Sequence, residues 1–182
     1  MFVGLDTGVK FYSLLVSNES RRARRLTATG YIEWVLGNSR SKSAMHVTTE
    51  VDADTGGLYA RNPYNSEFSS WVGFFDVDVP TRSVSGDRTE FLGRNGNLAN
   101  PAALRRVRLS GRVGAGFDPC AAFQSPVRLE DGQERIITFT VGAARGAAEA
   151  KTLAQRFRAI DSAHRAIEGV WHYWSRTLGV VY

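Results

Sequence analysis

The chain has 182 residues, 43% of them apolar, which is enough to bury a real core in one domain or one domain plus an appendage. Its single cysteine, Cys120, excludes an internal disulfide and a cysteine-built metal site, and reads as a small buried filler. The formal charge of +5 comes from arginine far more than lysine, in clusters at Arg21, Arg22, Arg24 and Arg25 and at Arg105, Arg106 and Arg108. Neither cluster is interleaved with the stacking rings of a single-strand binder, so no nucleic-acid partner is expected. No apolar run approaches the roughly 18 residues of a membrane helix, and MFVGLDTGVKFY lacks the layout of a signal peptide. The expectation is a cytoplasmic chain without membrane contact of its own.

From Val9 to about Val141 short apolar or alternating runs are broken by turns, the pattern of an antiparallel β-sandwich. KFYSLLV is the first strand and NESRRAR a turn. LTATGYIEWVL alternates, with Leu26, Ala28, Ile32, Trp34 and Leu36 on one face. MHVTTEV reads as a third strand, DADTGG as a tight turn and GLYAR as the next strand. SEFSSWVGFFDVDV carries apolar groups on both faces, Phe68, Val72 and Phe74 against Trp71, Phe75 and Val77, so it belongs between two layers. Pro80 to Pro119 is rich in Gly, Ser, Asn and Arg with few strand formers, and reads as a long functional loop. CAAFQSPVRL and ERIITFTV, joined by EDGQ, read as a closing hairpin.

The pattern changes at Gly142. Helix formers dominate, and Ala163, Ile167, Val170, Trp171, Trp174 and Leu178 make one apolar stripe, with Asp161 or Ser162 as N-cap. The expected division is a β-sandwich over 1–144 and a helical linker over 145–182. An aromatic end, WHYW, is more than a small β-domain needs to cover.

Polar, ring-bearing loops concentrate between Leu58 and Gly96. Asp87 and Glu90 could be imagined as a glycosidase pair, but such a pair needs one raised pKa, and neighbouring arginines such as Arg88 and Arg94 hold carboxylates charged. Ion pairing that pins the loop is the better reading. In ARNPYNSEF, Asn62-Pro63 and Tyr64-Asn65 are turn formers, while Tyr64 offers a ring face and Arg61 or Asn65 hydrogen bonds to sugar hydroxyls. His46, His164 and His172 have no metal-ligand spacing, and Gly111, Gly114 and Gly116 lack the lysine and helix of a phosphate loop, so no metal or cofactor is expected.

RRLTATGYIEWVLG, ARNPYNSEF, GDRTEFLGRNG with PAAL soon after, and LSGRVGAGFDPCAAFQ occur in an order that closely resembles the cyclic β-1,2-glucan synthases. More broadly it resembles the glycoside hydrolase family 94 phosphorylases, such as cellobiose and chitobiose phosphorylase. The resemblance runs from about Asp6 to Leu178. It implies an N-terminal supersandwich and a helical linker ahead of a catalytic (α/α)6 barrel that carries the general acid and phosphate site, so a chain stopping at Tyr182 is expected to be inactive alone. The sandwich of such enzymes packs on the barrel, contributes to homodimer contacts and lends loops to the rim of the sugar site. Arg61, Tyr64, Arg88 and Arg94 are the rim or interface candidates this implies, with a β-glucan or β-linked oligosaccharide reached through the parent enzyme. The parent is either a soluble phosphorylase or a membrane-bound synthase with this domain on the cytoplasmic side. An autonomous carbohydrate-binding or interaction module that shares the fold is the alternative. The chain alone is expected to bind β-1,2-gluco-oligosaccharides weakly or not at all.

Overall fold

The computed structural model describes residues 1–159 and 161–179. Residues 180–182, where the sequence places the approach to a following domain, lie outside the described residues. Among the described residues, two antiparallel sheets face each other. The six-stranded sheet has the order β1 (Phe2–Val3), β2 (Lys10–Ser17), β9 (Glu134–Arg145), β6 (Trp71–Val77), β5 (Leu58–Arg61) and β4 (Thr48–Val51). The three-stranded sheet is β3 (Arg24–Glu33), β8 (Pro119–Leu129) and β7 (Ser83–Asp87). Phe75 and Phe139 from the first sheet meet Phe123 from the second, and Ala121, Val127 and Ile137 fill the space around them.

The expected hairpin between β8 and β9 does not form, because the two strands belong to different sheets. β8 pairs along its length with β3, from Arg24 opposite Leu129 to Glu33 opposite Cys120. β9 pairs instead with β2 and β6. Turn chemistry at EDGQ marks the reversal but not the sheet that each flank joins. The β2–β3 connection crosses between the sheets at the same corner, and Asn18 ties the two crossings together. Its buried side-chain amide donates to the carbonyls of Arg22, Leu129 and Glu130, its backbone N–H to Gln133, and its carbonyl accepts from Gly132. Gly132 stands at φ +72°, a conformation that costs glycine little.

β6 is covered on both faces, as its two-sided apolar pattern predicts. Phe75 and Val77 enter the inter-sheet core, whereas Val72 and Phe74 face α3 (Gly146–Arg158) through Ala150, Ala154 and Phe157. Phe68 falls before the strand and is exposed. The third strand is shorter than MHVTTEV suggests. Arg40–Ser43 form α1 and Ala44–His46 a 3-10 turn, and only Thr48–Val51 has a partner strand to pair with, in β5.

The segment from Pro80 to Pro119 is not one open loop. It holds β7, α2 (Arg88–Leu92) and a 3-10 turn at Ala102–Arg105. Phe91, Leu92, Ala103 and Leu109 bury against Ala122, and Phe91 stacks on Tyr31 at 4.2 Å. Cys120 is fully buried, and burial pushes its thiol pKa up.

β9 runs to Arg145, three residues beyond the expected change at Gly142, and α3 then forms a third layer on the outer face of the large sheet. A carboxylate lies buried beneath it. Asp76 Oδ2 accepts from Arg158 Nε at 3.0 Å and Nη2 at 2.5 Å, and Oδ1 lies 3.3 Å from Arg82. Arg82 also donates to the carbonyls of Val77, Val79 and Thr55. Burial pushes the Asp76 carboxyl above its usual range despite the two guanidinium groups. Desolvation therefore outweighs the attraction of the two arginines.

α4 (Ser162–Leu178) follows. Asp161 stands at its N-cap without a side-chain bond, and the Ser162 hydroxyl bonds back to the carbonyls of Phe157 and Ala159. Ser162 and Ala163 are its buried residues. Trp171 is 66% exposed, and Tyr173, Trp174 and Leu178 are also uncovered.

Removing one partner of the buried pair is expected to cost about 3 kcal/mol. In urea unfolding Arg158→Met should lose this amount, and Arg158→Lys, which keeps a cation beside Asp76, should lose less. An Arg158→Met chain as stable as the parent would contradict the account.

Candidate functional site

A groove of about 610 Å³ opens where the β3–α1 connection, α1 with its 3-10 turn, and the β5–β6 loop meet. It continues into an apolar pocket of about 190 Å³ under Leu36, Phe68, Trp71 and Ala143. The larger volume lies within the roughly 300–1,000 Å³ of small-molecule sites.

Local sequence chemistry holds its walls. Asn62 accepts from the backbone N–H of Tyr64 at 3.0 Å, and its amide donates to the Leu36 carbonyl at 2.8 Å. Asn65 repeats the turn, accepting from the N–H groups of Glu67 and Phe68 at 2.9 Å. These Asx turns fold the loop on itself and leave its rings outside. On the opposite wall the Ser43 hydroxyl donates to the carbonyls of Ser39 and Val35. Leu36, between the walls, has φ +27°, a strained value for a side-chain-bearing residue. Gly73 lets Trp34, just past the end of β3, approach closely, since an added Cβ would meet the indole at 3.0 Å.

Rings dominate the surface. Tyr64 is 80% exposed and stacks on His46, with centroids 4.4 Å apart and planes 16° from parallel. Phe68, 52% exposed, meets Trp71 edge-on at 6.1 Å. The polar lining includes Asn38, Lys42, Asn65 and Glu67.

Of the four residues singled out from the sequence, only Tyr64 lines the groove. Arg61 is exposed at the end of β5, just ahead of Asn62. Arg88 belongs to a ring of four charges. It bonds Glu33 at 2.8 Å and Asp118 at 3.3 Å, and Arg40 contacts the same two carboxylates. Because Arg40 begins α1, this ring braces the helix that forms one wall of the groove. Burial would raise the Glu33 carboxyl, but hydrogen bonds from Arg88 and Tyr31 and the charge of Arg40 leave it below the usual range. Arg94 is exposed and makes no hydrogen bond or ion pair among the described residues. The sequence reading missed His46, Lys42, Phe68 and Trp71 as site residues. Nothing in its spacing marks His46, and its 18-residue separation from Tyr64 hides the stack.

Asp87 and Glu90 do pin the long segment, through partners other than Arg88 and Arg94. Asp87 caps α2 by accepting from the Thr89 N–H and pairs with Arg112 at 3.1 Å. Glu90 is buried and accepts four hydrogen bonds, from the hydroxyls of Ser85 and Ser110, the Ser110 N–H and Arg106. Burial pushes its pKa up, but these donors outweigh it and hold the carboxyl below the ordinary Glu range. A carboxylate so held is poorly suited to donating a proton.

Two packed antiparallel sheets of unequal size, with helices appended on one side, define a supersandwich-type domain. The glycosyl hydrolase 94 supersandwich domain matches residues 1–160, and the chain belongs to that family. It is 36% identical over 173 residues to the cyclic beta-(1,2)-glucan synthase NdvB of Rhizobium meliloti (strain 1021), covering 94% of this chain and 6% of that protein. It is 24% identical to the N,N'-diacetylchitobiose phosphorylase of Vibrio furnissii, over 96% of this chain and 22% of the relative. The cellobionic acid phosphorylase of Neurospora crassa is 26% identical, over 100% of this chain and 24% of the relative. The chain thus spans less than a quarter of the length of each of these relatives.

The depressed Glu90 pKa gives a pH signature. Its contribution is fully present above the unfolded Glu value of about 4.3 and is lost as pH falls through the lower folded value. Glu90→Gln should cost about 1–3 kcal/mol at pH 7, and its stability should fall less than that of the parent chain as pH drops below 4. Equal acid sensitivity in both proteins would show that Glu90 is not held in this way.

Proposed function

We propose that this chain is a non-catalytic, carbohydrate-associated domain of a glycosyl-transferring enzyme acting on β-glucans, either a phosphorylase or a cyclic β-1,2-glucan synthase. In this reading it packs on a catalytic (α/α)6 barrel, supports dimer contacts and forms part of the rim of the sugar site, on the cytoplasmic side of the cell. The family membership and the activities for which the relatives are named support the glycan class.

The observation that carries the reading is α4. Its first turn is anchored against the domain, and its apolar stripe then continues uncovered through Trp171, Trp174 and Leu178. Contiguous exposed rings of this kind mark a surface that another body covers. An autonomous carbohydrate-binding module has no use for that stripe. In this reading the β-sandwich spans 1–144 and the helical linker 145–182, with α3 of the linker burying Ala150, Ala154 and Phe157 against the sheet.

Two measurements test the proposal. Given inorganic phosphate and β-linked gluco-disaccharides, the chain alone should release no sugar phosphate, and turnover that survives repurification would contradict the non-catalytic role. Acrylamide should quench Trp171 and Trp174 in the chain alone, and quenching should drop when the catalytic barrel portion of a family relative is added. Undiminished quenching in a complex that does form would place the contact elsewhere.

A further inference from the structure

We infer that the groove between the β3–α1 connection and the β5–β6 loop is a binding subsite for a neutral, β-linked gluco-oligosaccharide. The inference rests on the β-glucan reading of the domain and assigns that ligand to particular residues. Sugars are recognised by flat apolar faces lying against aromatic rings, with amides and carboxylates at the hydroxyls around them. The groove offers both. The His46–Tyr64 stack leaves the outer face of Tyr64 to solvent, and the Phe68–Trp71 pair supplies a second aromatic surface where the groove deepens.

Charge selects against an ionic ligand. The lining carries one cationic side chain, Lys42, and one anionic, Glu67, which cancel. A phosphorylated or acidic saccharide would find no net complement, whereas both groups suit the hydroxyls of an uncharged ring. Nucleic-acid bases also stack on rings, but a phosphate backbone needs more than the single lysine of this lining, which Glu67 offsets.

The site is also pre-organised. The ring-bearing loop is folded by Asn62 and Asn65, tied to the opposite wall through the Leu36 carbonyl, and braced from behind by the charge ring on Arg40. Little ordering cost then falls on binding. The strained φ of Leu36 is localised at this wall. An open groove with two ring surfaces and few free hydrogen-bonding groups is a weak site by itself, with a Kd on the order of 1 mM, about −4 kcal/mol. That fits a rim that guides a chain toward a reaction centre.

The test is calorimetric titration of the whole chain with β-1,2-linked gluco-oligosaccharides of three to six units. Millimolar binding is expected, weakened about fivefold or more by Tyr64→Ala and by Phe68→Ala, both exposed positions whose variants should fold. Leu15→Ala, on exposed β2 away from the groove, should leave affinity unchanged. Absence of binding at 20-fold above the expected Kd, binding undiminished in both groove variants, or preference for a charged saccharide would each overturn the inference. Shielding of Trp171 and Trp174 by a barrel is read independently, so the subsite can fail while the domain reading stands.

Discussion

The structure depends on how the carboxylate of Asp76 is accommodated in the middle of the six-stranded sheet. An unpaired charge there would be untenable, and its two partners come from separate later segments of the chain. Arg158, the last residue of α3, can reach it only if that helix lies flat on the sheet over Phe74 and Phe11. Arg82 can reach it only if the chain leaving β6 curls back, and the same guanidinium then fastens the carbonyls of Thr55, Val77 and Val79. One buried charge thus fixes the third layer, the turn after β4 and the exit toward β7. The first turn of α4 is tied to the same helix through the Ser162 hydroxyl, which donates to the Phe157 carbonyl.

At its other end β6 begins at Trp71, on the floor of the groove. The strand therefore connects the layer that α3 covers with the surface where the rings gather. Around that surface the polar side chains divide into two kinds. Asn62, Asn65, Ser43, Arg40 and Arg88 are used up in turns and ion pairs that hold the walls. Tyr64, His46, Lys42 and Glu67 remain at the surface with unspent capacity. Arg88 illustrates the distinction. It acts through the ring with Glu33, Asp118 and Arg40, which joins the long β7–β8 segment to the back of α1, and not as a group facing a ligand.

Period-two alternation made the long strands readable from sequence. β2, β3 and β9 were evident, as was the two-sided burial of β6, because a side chain's face follows from parity alone. The helical stripe of α4 was readable for the same kind of reason. Parity says nothing about partners, however. EDGQ announces a reversal whether its flanks join one sheet or two, and the crossing is tied by Asn18, more than 100 residues away in sequence from the Leu129 and Glu130 carbonyls it binds. The segment between Pro80 and Pro119 lacked a pattern because its order comes from scattered anchors, Glu90 and Phe91 among them, that acquire meaning only once folded. Tyr64 could be found from its turn-rich setting. His46 could not, since nothing local marks it as the ring beneath Tyr64.

Membership of the glycosyl hydrolase 94 supersandwich family gives these features a common setting, in which a rigid β-domain offers one ring-lined groove and one uncovered aromatic helix. The central claim is the proposal that the groove meets the glycan. Amide chemical-shift mapping of the isotope-labelled chain during titration with a β-1,2-linked gluco-oligosaccharide tests it most directly. The account predicts perturbations concentrated at residues 36–46 and 62–71. Perturbations centred on residues 87–118 or on α4 would contradict it.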